Sequence, residues 1–323
     1  MDPDTFLPLL LPLAAWPVSR FAAPKLPPRF ASWLLGVTGV TLAVGSTASL
    51  LLLTFASLFA IPPINGVAAW PAGVSCGIAL AWIGGSLVRT VLRYRRWSRG
   101  LHSELDSHSR EPGIVVLPGL EPLAVAIPGR GGRIAISSGM LALLNPDERC
   151  ALLAHERAHL RCRHHLFLGA IALAGLLNPL IRPLRPATVF ALERWADEVA
   201  AERVGSRKVV ASAVAKAALA SQETTSFALA GAGGPVPQRV SALLSAPSAR
   251  RSRWLSMAGA GAAVVLVVSG WSMQVVVESA TDLQISLEVC PSAHAMLGQR
   301  ADAQPARAAF LQQQWKCPQR RLP

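Results

Sequence analysis

From Ala31 to Val88 the chain carries not one Asp, Glu, Lys or Arg. About 20 apolar residues in a helix cross the hydrocarbon core of a bilayer. This run is long enough to cross twice, and the turn-like stretch from Ile61 to Gly66 divides it. A second uncharged run extends from Trp254 to Val277. The composition agrees: apolar residues make up 52% of the chain, charged residues 15%, and the mean hydropathy is +0.40, where soluble domains carry about 25% charged residues. A shorter apolar stretch, Phe6 to Val18, is broken by Pro8, Pro12 and Pro17. No basic region precedes it, so it reads as a span rather than a signal peptide. The expectation is an integral membrane protein, mainly α, with four transmembrane helices. Residues 1–99 would hold three of them (about 5–20, 33–60 and 66–89) and 100–253 a domain outside the bilayer. The fourth would be 254–277, and 278–323 a short tail.

Basic residues set the orientation. Arg20, Lys25 and Arg29 follow the first span, Arg89, Arg93, Arg95, Arg96 and Arg99 end the third, and Arg250, Arg251 and Arg253 precede the fourth. The loop between the second and third spans has no charge. This pattern places the domain in the cytoplasm of a multi-pass cell-membrane protein, with the N-terminus and the C-terminal tail outside. Much of the net charge of +13 is thereby assigned to the membrane surface and to anionic lipid. The lipid bilayer is an expected partner and nucleic acid is not, because no base-reading motif accompanies the charge. Cys290 and Cys317 fall in the tail, where a disulfide persists, and sidedness alone makes them candidate partners. Cys76 falls in a span, Cys150 and Cys162 in the domain.

Within the domain, residues 101–112 read as a polar linker. Strand signals follow at Ile114–Leu117, Pro122–Ile127 and Arg133–Ser137, the last two joined by the turn-like Pro128-Gly-Arg-Gly-Gly132. Asn145, Pro146 and Glu148 mark the start of a helix running to about Arg163. Further helices are expected at Leu166–Leu177, Ala187–Val204 with Gly205 as its stop, and Ser206–Gln222, with loop at 231–237.

The helix from Asn145 contains His155-Glu-Arg-Ala-His159. Two histidines four apart share a helix face, so both imidazoles reach one Zn²⁺, and Glu156 projects beside it as a catalytic base. A catalytic zinc takes three protein ligands and keeps one position open. Glu193, in Glu193-Arg-Trp-Ala-Asp197, is the candidate third ligand, and Asp197, one turn on, is placed to accept the N–H of a ligand histidine. The bland readings are a chance pentad and a solvated acidic face, since Glu198 and Glu202 continue the pattern. Arg133, Ile134, Ala135, Ile136 and Ser137 form the candidate edge strand for an extended substrate backbone.

Ile134-Ala-Ile-Ser-Ser-Gly139, Leu144-Asn-Pro-Asp-Glu148, Ala154-His-Glu-Arg-Ala-His-Leu160 and Glu193-Arg-Trp-Ala-Asp197 together resemble the M56 family of membrane metallopeptidases, the antibiotic-sensor group, and are shared with the related M48 family. The choice of M56 rests on the layout of spans. The resemblance implies a cytoplasmic zincin-like (gluzincin) α+β metalloprotease domain and a zinc endopeptidase acting in signal transduction. Its substrate would be a protein, a helix-turn-helix repressor cleaved in response to an outside signal. Homo-oligomers are left open. Two departures stand out. No penicillin-binding domain is expected after the last span, and the tail has no Ser-x-x-Lys pair, so β-lactam sensing is not expected. Many relatives also carry Asp about five residues after the second ligand histidine, where this chain has Arg163-His164-His165. These histidines read as extra ligands, transition-state donors or polar helix-end residues, the last being preferred. Two alternatives compete with repressor cleavage. One is an M48-like quality-control protease, which would cut many unfolded chains. The other is a non-catalytic receptor or scaffold, against which Glu156 argues.

Overall fold

The computed structural model describes residues 12–17, 19–20, 23–58, 69–108, 113–129, 131–224 and 236–245. A six-residue helix, α1 (Pro12–Pro17), and a 3-10 turn at Ala23–Lys25 lead into two long helices, α2 (Pro28–Leu58) and α3 (Ala69–His108), which pack on each other. In α2 the apolar residues divide by face. Leu35, Leu42 and Ala43 are buried, while Trp33, Val37, Val40, Val44 and Leu51 recur at helical spacing on an exposed face. Its buried serines satisfy themselves locally: Ser32 Oγ donates to Pro28 O at 2.9 Å and Ser46 Oγ to Leu42 O at 2.8 Å.

One helix among the described residues is long and apolar enough to cross a membrane: α2, over Pro28–Leu51, with 44% of that window buried. The four expected spans are therefore not all seen. The described part of the first, α1, rises only about 9 Å against a hydrocarbon core of about 30 Å. The third falls in α3, which continues unbroken to His108, so the polar stretch expected as a linker is helix for most of its length. The fourth, the tail, and Cys290 and Cys317 lie outside the described residues.

Three strands follow, β1 (Ile114–Leu117), β2 (Ala124–Ile127) and β3 (Arg133–Ser137), in the order β1-β3-β2. β3 pairs parallel with β1 (Val115 opposite Ala135) and antiparallel with β2 (Val125 opposite Ala135). The reading of Arg133, Ile134, Ala135, Ile136 and Ser137 as an edge strand is thus corrected. Both edges of β3 are already hydrogen-bonded, and Ile134 to Ser137 are all buried. A near-continuous apolar strand is what a central position requires. Ser137 then caps the short helix α4 (Ser138–Leu143), its Oγ accepting from Met140 N at 3.1 Å and from Leu123 N at 2.9 Å.

Helix α5 (Pro146–Arg161) starts at a complete capping box. Asn145 Oδ1 accepts from Glu148 N at 2.9 Å and Glu148 Oε2 accepts from Asn145 N at 3.0 Å. The buried Glu148 carboxylate also takes Ser212 Oγ at 2.6 Å and Lys216 Nζ at 2.7 Å. Arg163, at φ 52° and ψ 43°, breaks the chain between α5 and α6 (His164–Leu177), which meet at 57°. A 3-10 turn at Pro179–Ile181 precedes α7 (Leu184–Val204), which begins three residues before the expected start. Pro186 sits within its first turn, where the missing N–H would have no helical partner in any case. Gly205 ends α7 in the left-handed conformation at φ 75°. Helices α8 (Arg207–Thr224) and α9 (Val236–Leu244) complete the described chain.

The core has distinct parts. Alanines let α5, α7 and α8 approach closely around Ala151, Ala154, Ala200, Ala201, Ala211 and Ala213. Ile134, Ile136, Met140 and Leu144 fill the space between sheet and helices. Leu35 and Leu42 of α2 join Ile171, Ala174, Ile181, Leu184 and Ala191. At Gly39 an added Cβ would lie 2.5 Å from Ile171 Cδ1, so the end of the Ile171 side chain fills the space that glycine leaves between α2 and α6. The apolar helix and the domain are one packed body at this seam.

Candidate metal centre

Two helices carry the centre, and helical periodicity explains why the residues meet. His155 and His159 lie one turn apart on α5, and Glu193 and Asp197 one turn apart on α7, which packs against it. His155 Nε2 and His159 Nε2 are 3.1 Å apart, and Glu193 Oε2 and Oε1 lie 3.5 Å and 3.6 Å from them. One donor atom from each of the three lies within 4.8 Å of the others. Two imidazole nitrogens and a carboxylate oxygen converging in this way fit a divalent ion of the zinc type. The other ring nitrogen of His155, Nδ1, lies 3.0 Å from Asp197 Oδ1, an ion-pair contact with the protonated ring.

The electrostatics follow from burial opposed by charge. Burial disfavours protonated His155, but Asp197 and Glu193 on either side override it and hold the imidazole up at about 10. His159 goes the other way: burial, with the neighbouring His155 charge, takes it down to about 4. The metal-free site therefore keeps a proton on His155, in the space where a cation belongs.

Glu156 is buried at 8% exposure, and burial pushes its carboxyl above the usual range. It is held by a backbone hydrogen bond from Ala126 in β2. The register explains this contact. Ser137 N donates to Leu123 O at 2.9 Å, and antiparallel bonding alternates. Leu123, Val125 and Ile127 therefore bond towards β3, while the backbone of Ala126 faces away from it. Glu156 thus sits at the edge of β2 that is not paired in the sheet.

Arg239 of α9 lay outside the sequence reading, yet it is the cation of the centre. Its Nε and Nη2 donate to Asp197 Oδ2 and Oδ1 at 2.8 Å and 2.7 Å, and Nη1 lies 2.9 Å from Glu193 Oε2. The signal was indirect: two carboxylates one turn apart and both largely buried demand a counter-charge. His164 stands at a helix end, the reading preferred from sequence, but inside the fold rather than on its surface. It is 1% exposed, with Nδ1 2.9 Å from His159 Nδ1 and its ring 4.9 Å from that of Trp195. His165 is exposed. Arg194 turns from the centre, donating to Pro24 O at 2.9 Å, and Arg29 stacks over Trp195 at 5.8 Å.

A histidine pair and a carboxylate around one cation position, with a further carboxylate beside it, define a metallopeptidase centre. Residues 111–182 match the model of Peptidase family M48. The matched stretch spans the sheet, α5 and α6 and stops short of Glu193 and Asp197. It supports a metallopeptidase, and it does not single out the M56 group. No curated protein and no solved structure matches the chain.

Proposed function

We propose that the chain is a membrane-anchored zinc endopeptidase of the M48 type, cutting protein chains held in extended form. The observation that carries this reading is the convergence of His155, His159 and Glu193 beside a buried Glu156 at the open edge of β2.

His155, His159 and Glu193 hold the ion. When bound, it supplies Lewis acidity that makes water nucleophilic near neutral pH and polarises a peptide carbonyl. Asp197 fixes the ring of His155, and Arg239 fixes both carboxylates. A substrate backbone pairs with β2 through the outward-facing groups of Ala124 and the carbonyl of Ala126, whose N–H goes to Glu156, and this brings it past Glu156 with little demand on side chains. Glu156 accepts the proton of the attacking water and passes it to the leaving amine. Burial raises its pKa above the usual carboxylate range, the direction that makes a carboxylate a better proton acceptor.

The exposed apolar face of α2 supports attachment to a bilayer. The multi-pass topology with a cytoplasmic domain rests on the uncharged runs and the flanking arginines. Broad cleavage of unfolded or membrane chains agrees with the M48 match. Cleavage of a single repressor has the span layout alone behind it.

The test is zinc content and proteolysis of the purified full chain in detergent. Wild type binds about one zinc and cleaves an unfolded casein-like chain. Glu156→Gln keeps the metal and loses about 10²–10⁴-fold in rate, and His159→Ala loses both. A wild type without zinc, or Glu156→Gln at wild-type rate, ends the reading. Cleavage of one co-expressed repressor with casein untouched moves the substrate to the sensor type.

A further inference from the structure

His159 and His164 are five residues apart, and on one continuous helix they would project about 140° from each other. They meet because Arg163 adopts the left-handed conformation, at φ 52°. A non-glycine residue rarely takes this conformation, and it costs about 1 kcal/mol or more. The kink starts α6 at His164 and folds its ring back under His159, where Nδ1 meets Nδ1 at 2.9 Å.

The tautomers follow. His159 turns Nε2 towards His155 and Glu193, at 3.1 Å and 3.6 Å. An imidazole that gives Nε2 to a cation carries its proton on Nδ1. Across 2.9 Å that N–H has one acceptor, His164 Nδ1, so the proton of His164 resides on Nε2. His164 Nε2 is buried and has no hydrogen-bond partner among the described residues. A buried donor left unsatisfied costs about 1–3 kcal/mol, and the fold accepts this where an apolar side chain against Trp195 would avoid it.

We propose that His164 is a positioning residue of the metal centre: it accepts the Nδ1–H of His159 and fixes that ring as an Nε2 donor, as Asp197 does for His155. The two ligand histidines are then held by different chemistries, one by a carboxylate clamped by arginine and the other by a neutral imidazole packed against Trp195. The inference rests on the metal reading of the site.

Zn²⁺ affinity of the full chain in detergent tests it, by competition with a chromophoric chelator, for wild type, His164→Leu, His164→Asn and His155→Ala. The Oδ1 of asparagine stands one bond beyond Cγ, as Nδ1 does, and so restores the acceptor, whereas leucine fills the space without one. His164→Leu is expected to weaken binding about 10–100-fold. His164→Asn should stay within about threefold of wild type, and both metal-free variants should melt within a few degrees of it. Equal losses in the asparagine and leucine variants overturn the proposal, since packing would then account for them. So does wild-type affinity in the leucine variant. If wild type itself binds no zinc, or His155→Ala binds as well as wild type, the metal reading falls and the proposal with it.

Discussion

Replacing Arg239 with methionine separates what the guanidinium does for the fold from what it does for the metal. Arg239 is 7% exposed and Asp197 1%, and three donor nitrogens serve two carboxylates at 2.7 to 2.9 Å. Removing one member of a buried, paired set strands the other charges and costs about 3–5 kcal/mol. At about 2–4 °C per kcal/mol for a chain of this kind, the metal-free variant should melt roughly 6–20 °C below wild type. A bound cation replaces part of the lost charge, directly on Glu193 and through His155 on Asp197. The deficit with saturating zinc should therefore be markedly smaller, and zinc should raise the melting temperature more in the variant than in wild type. Arg239→Lys should fall between the two, because a single ammonium cannot serve both carboxylates bidentately. The assay is thermal unfolding in detergent at one scan rate, with chelator and with zinc. A metal-free variant within about 2 °C of wild type would refute the argument. So would a deficit that zinc leaves unchanged, which would place Arg239 in the packing of α9 rather than in the charge balance of the centre.

In the metal-free chain burial works against the His155 proton, yet Asp197 and Glu193 hold it to about 10. Binding must release that proton, so apparent zinc affinity should rise about tenfold per pH unit between about pH 6 and 9; a flat profile by equilibrium dialysis contradicts it. The linked stability has the opposite sign. It is fully present below the unfolded histidine pKa of about 6.5 and is lost as pH rises through the folded value, so the metal-free protein should weaken in mild alkali. Finally, an alanine Cβ at Gly139 would lie 2.1 Å from the Leu120 carbonyl oxygen, a backbone atom that cannot swing aside. Gly139→Ala should lose about 1–3 kcal/mol with zinc affinity retained, and wild-type unfolding would contradict it.

Much of the centre was readable because it obeys helical periodicity: His155 with His159 and Glu193 with Asp197 each need only one turn. Asn145, Pro146 and Glu148 announced α5 for the same reason, as local capping chemistry. Three features escaped. The central place of β3 depends on pairing with β1, which no local pattern encodes, although its apolar run pointed that way. Helix α9 follows a Gly- and Pro-rich stretch whose loop signal hid it, and Arg239 acquires meaning only from carboxylates more than 40 residues earlier. His164 meets His159 through a left-handed arginine, a conformation with no sequence signature in a residue other than glycine, asparagine or aspartate. The first run of uncharged residues marked α2 as an apolar helix, but whether such a helix crosses a bilayer depends on what covers its faces.

A helix presents a new direction about every 100°, and α7 uses three successive directions for three different bodies. Glu193 faces the two histidines, Arg194 grips the carbonyl of Pro24 just ahead of the apolar helix, and Trp195 lies between His164 and Arg29. The helix is indexed like a key with three teeth. Turning it about its axis to suit one neighbour disengages the other two, and inserting one residue before Glu193 would rotate the ligand out of register with everything upstream. Precision at the metal is therefore borrowed from the seam with the apolar helix, so that this helix and the chemistry share one alignment.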